Sequence, residues 1–200
     1  IFEHKNYVGG RYSVLSEVGM LPAELMNLNE GKFKQFNQLV KNKKFINNVI
    51  NNVSATLNLL KNGRYTSIIL NYDEQSENIF RWYQQLIAES LGKKSQGILP
   101  VISSMPKDNH SLMQLYLDGP QKSFYTFFNV LENQDVKIRN KKILNSHKYL
   151  KNKSIEEIKQ SQILATKKVF MAKKIPFRSF VISRRNEQVL GELFCFFILE

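Results

Sequence analysis

Four short apolar runs, separated by longer stretches of helical periodicity, constrain the fold of this chain more than any other feature of it. Tyr65 to Tyr72, centred on Ser67-Ile68-Ile69-Leu70, is a run of the kind found in a parallel strand buried on both faces. Leu99-Pro100-Val101-Ile102, Ser123 to Leu131 and Phe177 to Ile182 are further runs of this type. Between them the period changes. Phe33, Phe36, Leu39 and Val40, then Phe45, Ile46, Val49, Ile50 and Val53, recur at three- and four-residue spacing and predict helix over 32–61. Asn62-Gly63 then signals a turn. Ile79, Phe80, Tyr83, Leu86 and Ile87 share one side of a second helix, with Gly92 expected at C′. Asn109 to Leu117, closed by Gly119-Pro120, Ser154 to Lys173, and Asn186 to Glu200 read as three more, the last running up to the chain end. Such alternation predicts an α/β fold, a parallel sheet covered by helices on both faces. Ligands of such sheets bind outside the carboxyl ends of the strands. The polar, Lys/Asn-rich stretch 132–153 is expected to be a surface excursion.

A chain of 200 residues is the size of one domain and can bury a core without disulfides. Its 42% apolar and 23% charged residues are those of a soluble globular protein. No apolar run approaches the roughly 18 residues that cross a bilayer, and Ile1-Phe2-Glu3-His4-Lys5 does not read as a secretory signal. The start lacks an initiator methionine, which predicts that the chain begins inside a longer protein. Cys195 is the single cysteine, so no disulfide can form within the chain, and a reducing, cytoplasmic setting is expected. The net charge of +12 invites a nucleic-acid reading. The lysines, however, are dispersed among asparagines, as in Lys41-Asn42-Lys43-Lys44 and Lys151-Asn152-Lys153. RNP-type aromatics, zinc-finger spacing and a clear helix-turn-helix are all missing. The same field also attracts an anionic metabolite such as a sugar phosphate.

Three places carry residues suited to chemistry. In Tyr7-Val8-Gly9-Gly10-Arg11-Tyr12-Ser13, paired glycines admit close approach of a ligand to the backbone, and Arg11 offers a permanent cation to an oxygen gaining negative charge. Taken alone, Gly-Gly-Arg is more often a turn with a solvated arginine. In Gln84-Gln85-Leu86-Ile87-Ala88-Glu89-Ser90-Leu91-Gly92-Lys93, Gln85 and Glu89 share a helix face. Glu89 lies in the last turn, where the helix dipole disfavours its charge. Partial burial would raise its proton affinity and suit it to general-base work. A surface glutamate paired with Lys93 is the ordinary alternative. His110 follows Lys107-Asp108-Asn109, either of the last two being able to cap a helix there. A helix start disfavours the imidazolium and predicts a neutral, proton-exchanging ring, against the plainer reading of a surface histidine. His4 and His147 have less to recommend them, and Cys195, flanked by Leu193, Phe194, Phe196 and Phe197, reads as core. Neither a metal site nor a Walker-type phosphate loop is expected.

These three stretches, in this order, resemble the signatures of the glucose-6-phosphate isomerase family. The residues concerned are Tyr7 to Ser13, Gln85 to Lys93 and Asn109-His110-Ser111-Leu112-Met113-Gln114-Leu115. Leu190-Gly191-Glu192-Leu193-Phe194 is similar to the start of the family's C-terminal helix. The resemblance covers essentially the whole chain. It implies the second sugar isomerase domain of that enzyme, a three-layer α/β/α sandwich of flavodoxin-like type. On this reading 1–31 is an active-site segment and 32–200 the domain proper. It implies interconversion of glucose 6-phosphate and fructose 6-phosphate through a cis-enediolate, without metal or organic cofactor. Glu89 would move the proton between carbon 2 and carbon 1, Arg11 would stabilise the enediolate, and Gln85 and Gly10 would contact substrate. His110 would assist ring opening, reaching the site from the partner subunit of a homodimer.

The chain also departs from the family. On the resemblance, residues 1–200 are expected to lack the family's first sugar isomerase domain with its Ser/Thr phosphate loop, and its C-terminal segment with an Asp-Gln and a catalytic lysine. Glu17 stands where the family usually has a small residue or proline. A fragment inactive by itself is therefore expected. A non-catalytic module that binds sugar phosphates as a regulator is the alternative, and a basic nucleic-acid-binding protein a third reading.

Overall fold

The computed structural model describes residues 3–131, 137–139 and 143–200. A 3-10 turn over Gly10–Leu15 leads into α1 (Glu17–Leu25), α2 (Glu30–Phe33), α3 (Phe36–Leu39) and α4 (Lys43–Lys61). There follow β1 (Thr66–Asn71), α5 (Glu77–Leu91), β2 (Leu99–Ser104), α6 (Asp108–Ser111), α7 (Met113–Asp118) and β3 (Ser123–Val130). The remaining elements are α8 (Ile155–Ala172), β4 (Phe177–Ile182) and α9 (Glu187–Leu199). The strands form one parallel sheet in the order β2-β1-β3-β4, with Thr66 opposite Leu99 and Ser123, and Tyr125 opposite Phe177. The α/β architecture expected from the alternating pattern is the observed one, with helices on both faces of a parallel sheet.

Strand geometry alternates side chains between faces, so each apolar run feeds two cores. On one face Ile68, Leu70, Tyr125 and Phe127 pack with Tyr116 of α7 and with Ile163 and Phe170 of α8. This core is aromatic and set edge to face, with Phe127 and Phe170 centroids 5.3 Å apart at 77°. On the other face Ile69, Phe128, Val130 and Ile182 meet Phe80, Tyr83, Leu86 and Ile87 of α5, and Leu193 and Phe197 of α9. A smaller cluster of Met20, Ala23 and Phe33, flanked by Leu190 and Phe194, fastens the first helices to α9.

Gly191 makes that contact possible, because a Cβ there would lie 2.5 Å from the carbonyl oxygen and 2.9 Å from the Cα of Phe33. Gly191→Ala must push α2 off α9. We expect a loss of about 1–3 kcal/mol, read as a lower urea midpoint at unchanged slope.

The structure divides two helices that periodicity runs together. The stretch 32–61 breaks after Phe33 and again before Lys43. Phe33 is buried, and the Gln35 amide donates to the carbonyls of Lys32 and Gln188, so tertiary contacts end the first piece. Asn42 then caps α4, its side chain accepting from the Lys44 and Phe45 N–H groups. The stretch 109–117 begins one residue earlier and breaks at Leu112. Gly92 closes α5 at φ −74°, with no positive φ; positive values come at Lys94 and Ser95 beyond it. Ser154 starts α8 through a reciprocal capping box with Glu157, at 3.0 and 2.7 Å. Of the excursion 132–153, residues 132–136 and 140–142 lie outside the described residues; Asn145–Leu150 forms a largely exposed 3-10 turn.

Candidate active site

α5 descends from the carboxyl end of β1 to the amino end of β2, and its last two turns carry Gln85, Glu89 and Ser90. The Gln84 amide donates to the carbonyl of Pro100 at 3.0 Å, which fixes this part of α5 beside the start of β2. The 3-10 turn that follows Gly9-Gly10 lays Arg11 against the same helix. The Arg11 carbonyl accepts from the indole N–H of Trp82 at 2.8 Å, while Nε donates to Ser90 Oγ at 2.8 Å and Nη1 to Glu89 Oε2 at 3.3 Å. The Gln85 amide donates to the other Glu89 oxygen at 2.9 Å. Tyr12 places its ring 4.9 Å from the guanidinium carbon and its hydroxyl 2.8 Å from Ser90 Oγ. Ser13, buried, donates to the Gly10 carbonyl at 2.7 Å and closes the turn.

Two segments about eighty residues apart in sequence thus meet as a cation, a carboxylate and three polar partners. Arg11, Gln85 and Glu89 are brought together here. A negative charge in the last turn of α5 opposes the helix dipole, and the Arg11 guanidinium offsets that. The hydrogen bond from Ser90 and the nearby cations of Arg11 and Lys93 hold the Tyr12 phenol below its ordinary value, against a smaller opposing effect of burial.

The details correct several expectations. Glu89 is more open than partial burial would make it, its side chain being 51% exposed. Its bonds go to Arg11 and Gln85, and not to Lys93. The glycines adopt no backbone forbidden to other residues: Gly9 has φ −65°, and neither takes a positive φ. A Cβ at Gly10 would meet no atom within 4 Å, and one at Gly9 only the Tyr12 ring at 3.8 Å. The pair thus leaves the turn beside Arg11 open to close approach. The site also lies at the amino ends of the strands, opposite to the carboxyl-end rule for open α/β sheets.

His110 is not part of this cluster. It sits in α6, just past the carboxyl end of β2, exposed to solvent. The six residues of β2 lie between it and the Glu89 end, roughly 17 Å at about 3.3 Å per residue. Neither Asp108 nor Asn109 caps α6. Asp108 is its first residue, and its carboxylate accepts instead from Ser103 Oγ at 2.9 Å and the Ser104 N–H at 2.8 Å. The helix that carries His110 is only four residues long. Tyr12, Trp82 and Ser90 went unremarked in the sequence. Tyr12 and Ser90 are the chain neighbours of Arg11 and Glu89, and adjacency was the available signal.

Among the described residues no three His, Cys, Asp or Glu side chains group to hold a metal, and no helix is long and apolar enough to cross a membrane.

The class is α/β: a parallel sheet covered by helices, with a carboxylate and a guanidinium paired on the end of one of them. The sequence profile of the phosphoglucose isomerase family matches residues 1–198, and the chain belongs to that family. A Methanococcus maripaludis protein named "Probable glucose-6-phosphate isomerase" is 31% identical over 210 residues, covering 100% of this chain and 46% of that protein. A Leptospira biflexa glucose-6-phosphate isomerase is 31% identical over 198 residues, covering 95% of this chain and 44% of its own length. The crystal structure of a glucose-6-phosphate isomerase from Chlamydia trachomatis superimposes with a TM-score of 0.72 at 17% identity, over 99% of this chain and 42% of that one. A Thermus thermophilus crystal structure, described as a hypothetical protein, gives 0.83 at 23% identity, over 99% of this chain and 50% of that one. These two likenesses concern the fold. The chain spans about half the length of the curated relatives it matches.

Proposed function

We propose that this chain carries the proton-transfer half of an aldose–ketose isomerase that interconverts glucose 6-phosphate and fructose 6-phosphate in the cytoplasm. The observation that carries the reading is the convergence of Arg11 and Glu89, 3.3 Å apart, beside the open Gly9-Gly10 turn. The Glu89 carboxylate takes the proton from carbon 2 of the open-chain aldose. The electron pair it leaves forms the double bond between carbons 1 and 2, and the carbonyl oxygen gains negative charge. Arg11, a cation held in place before the reaction, lowers the energy of that charge. Returning the proton to carbon 1, with transfer of the proton on oxygen 2 to oxygen 1, gives the ketose. Gln85 holds the Glu89 carboxylate and contacts substrate, as the Gly10 backbone does.

His110 lies too far from Glu89 within one chain to serve the same substrate, which favours its delivery by the second subunit of a homodimer. The parts of the relatives that this chain does not span supply the phosphate site in this reading. The activity therefore belongs to the whole protein, and residues 1–200 alone give no turnover.

A coupled assay on the whole protein with both hexose phosphates tests this. Wild type should turn over. Arg11→Ala should lower kcat/KM by about 10²–10³, the range for loss of one oxyanion partner. Substrate binding without any wild-type turnover would instead assign a regulatory sugar-phosphate module.

A further inference from the structure

The guanidinium of Arg11 is itself held by a second layer of side chains. Its Nε donates to Ser90 Oγ at 2.8 Å, and that oxygen is also 2.8 Å from the Tyr12 hydroxyl. The Tyr12 ring lies against the guanidinium, 4.9 Å from its central carbon. Arg11, Tyr12 and Ser90 therefore form a closed triangle in which each side chain touches the other two. Ser90 follows Glu89 directly on α5, so any movement of the base along the helix axis carries the Arg11 anchor with it. We infer that Ser90 is a positioning residue of the isomerisation, fixing the Arg11 guanidinium at a set distance from the Glu89 carboxylate, with the Tyr12 hydroxyl holding Ser90 in that role. This rests on the isomerase reading given above.

The chemistry explains why a hydroxyl is needed. An arginine side chain has four rotatable bonds, and a pair with a half-exposed carboxylate does not fix them, since such pairs are weak and loose. A second bond, to Nε, sets the plane of the guanidinium. Stabilisation of a developing oxyanion depends on donors already in place, and an error of about 1 Å can cost on the order of a hundredfold in rate. The lowered phenol of Tyr12 agrees with this wiring, since its leading cause is the bond to Ser90.

The test uses the whole protein and four variants: Ser90→Ala, Ser90→Thr, Tyr12→Phe and Arg11→Ala. Ser90→Ala should lower kcat at least tenfold with KM for fructose 6-phosphate within about twofold, at an unchanged melting temperature. Ser90→Thr, which keeps the hydroxyl, should recover most of the loss, and Tyr12→Phe should fall between. Ser90→Ala with wild-type kcat, or a loss that Ser90→Thr does not recover, overturns the inference. If Arg11→Ala is inactive while Ser90→Ala is normal, only the positioning role falls. If Arg11→Ala itself turns over normally, the isomerase reading falls with it.

Discussion

Replacing Glu89 by glutamine in the whole protein should lower kcat for glucose 6-phosphate isomerisation by about a thousandfold while leaving the fold intact. General-base catalysis by a positioned side chain is worth some 10²–10⁴ in rate, so a thousandfold loss, about 4 kcal/mol, is the middle of that range. Glutamine keeps the shape and can still bond to Arg11 through its carbonyl, but it cannot take a proton from carbon 2. The fold should tolerate it because Glu89 is 51% exposed and its ion pair with Arg11 is of the kind that contributes about 0–1 kcal/mol. Circular dichroism and the melting temperature should therefore match wild type, and substrate should still bind. A variant with unchanged kcat would remove Glu89 as the base.

The second large effect concerns stability. Arg178 lies at the amino end of β4, the edge strand opposite β2, and its side chain enters the core. Its Nη1 bonds to Glu200 Oε1 at 2.6 Å and to Asn52 Oδ1 at 2.8 Å, its Nε to Thr126 Oγ1 at 2.9 Å, and its Nη2 to the Tyr83 hydroxyl at 3.3 Å. The two charged side chains are 18% and 7% exposed. Burial holds the Tyr83 phenol far above its ordinary value, with the Glu200 charge acting in the same direction. Arg178→Met leaves Glu200 with a buried negative charge and no cation, which costs about 3–5 kcal/mol. The double variant Arg178→Met with Glu200→Gln removes both charges and should recover a large part of that loss. Urea titrations of wild type, both single variants and the double variant measure the coupling directly. A single Arg178→Met variant within about 1 kcal/mol of wild type would show that the buried pair contributes nothing.

How much of this was legible in the sequence depends on whether local pattern or tertiary contact decides. The run Ser67-Ile68-Ile69-Leu70 is of the kind found in a strand covered on both faces, and β1 lies inside the sheet between β2 and β3. The face of α5 was equally clear, since Phe80, Tyr83, Leu86 and Ile87 are all buried. Helix breaks were not, because Phe33 is drawn into the cluster beneath Leu190 and Phe194, far along the chain. Asn42 was a readable cap that helical periodicity on either side concealed.

In the site, Arg11 and Glu89 could be paired only through the order of the motifs, since no spacing rule joins residues 78 apart. The exposure of Glu89 depends on how the Gly9-Gly10 turn lies against α5, and periodicity carries no information about that. The same holds for the separation of His110, which follows from the direction of β2 and not from any residue near it. Ser90 and Tyr12 illustrate a further limit. Each has a plain local reading, a helix C-terminal serine and an exposed tyrosine, until the guanidinium between them is in place.

The isomerase reading stands on proton transfer at carbon 2 by Glu89, and hydrogen exchange with solvent reports that step apart from the rest of turnover. The whole protein, incubated in deuterium oxide with glucose 6-phosphate, should place deuterium at carbon 2 of the recovered aldose and carbon 1 of the ketose, as followed by proton NMR. Glu89→Gln should bind the substrate and place none on the same timescale. Incorporation at the wild-type rate by Glu89→Gln would contradict the assignment of the base.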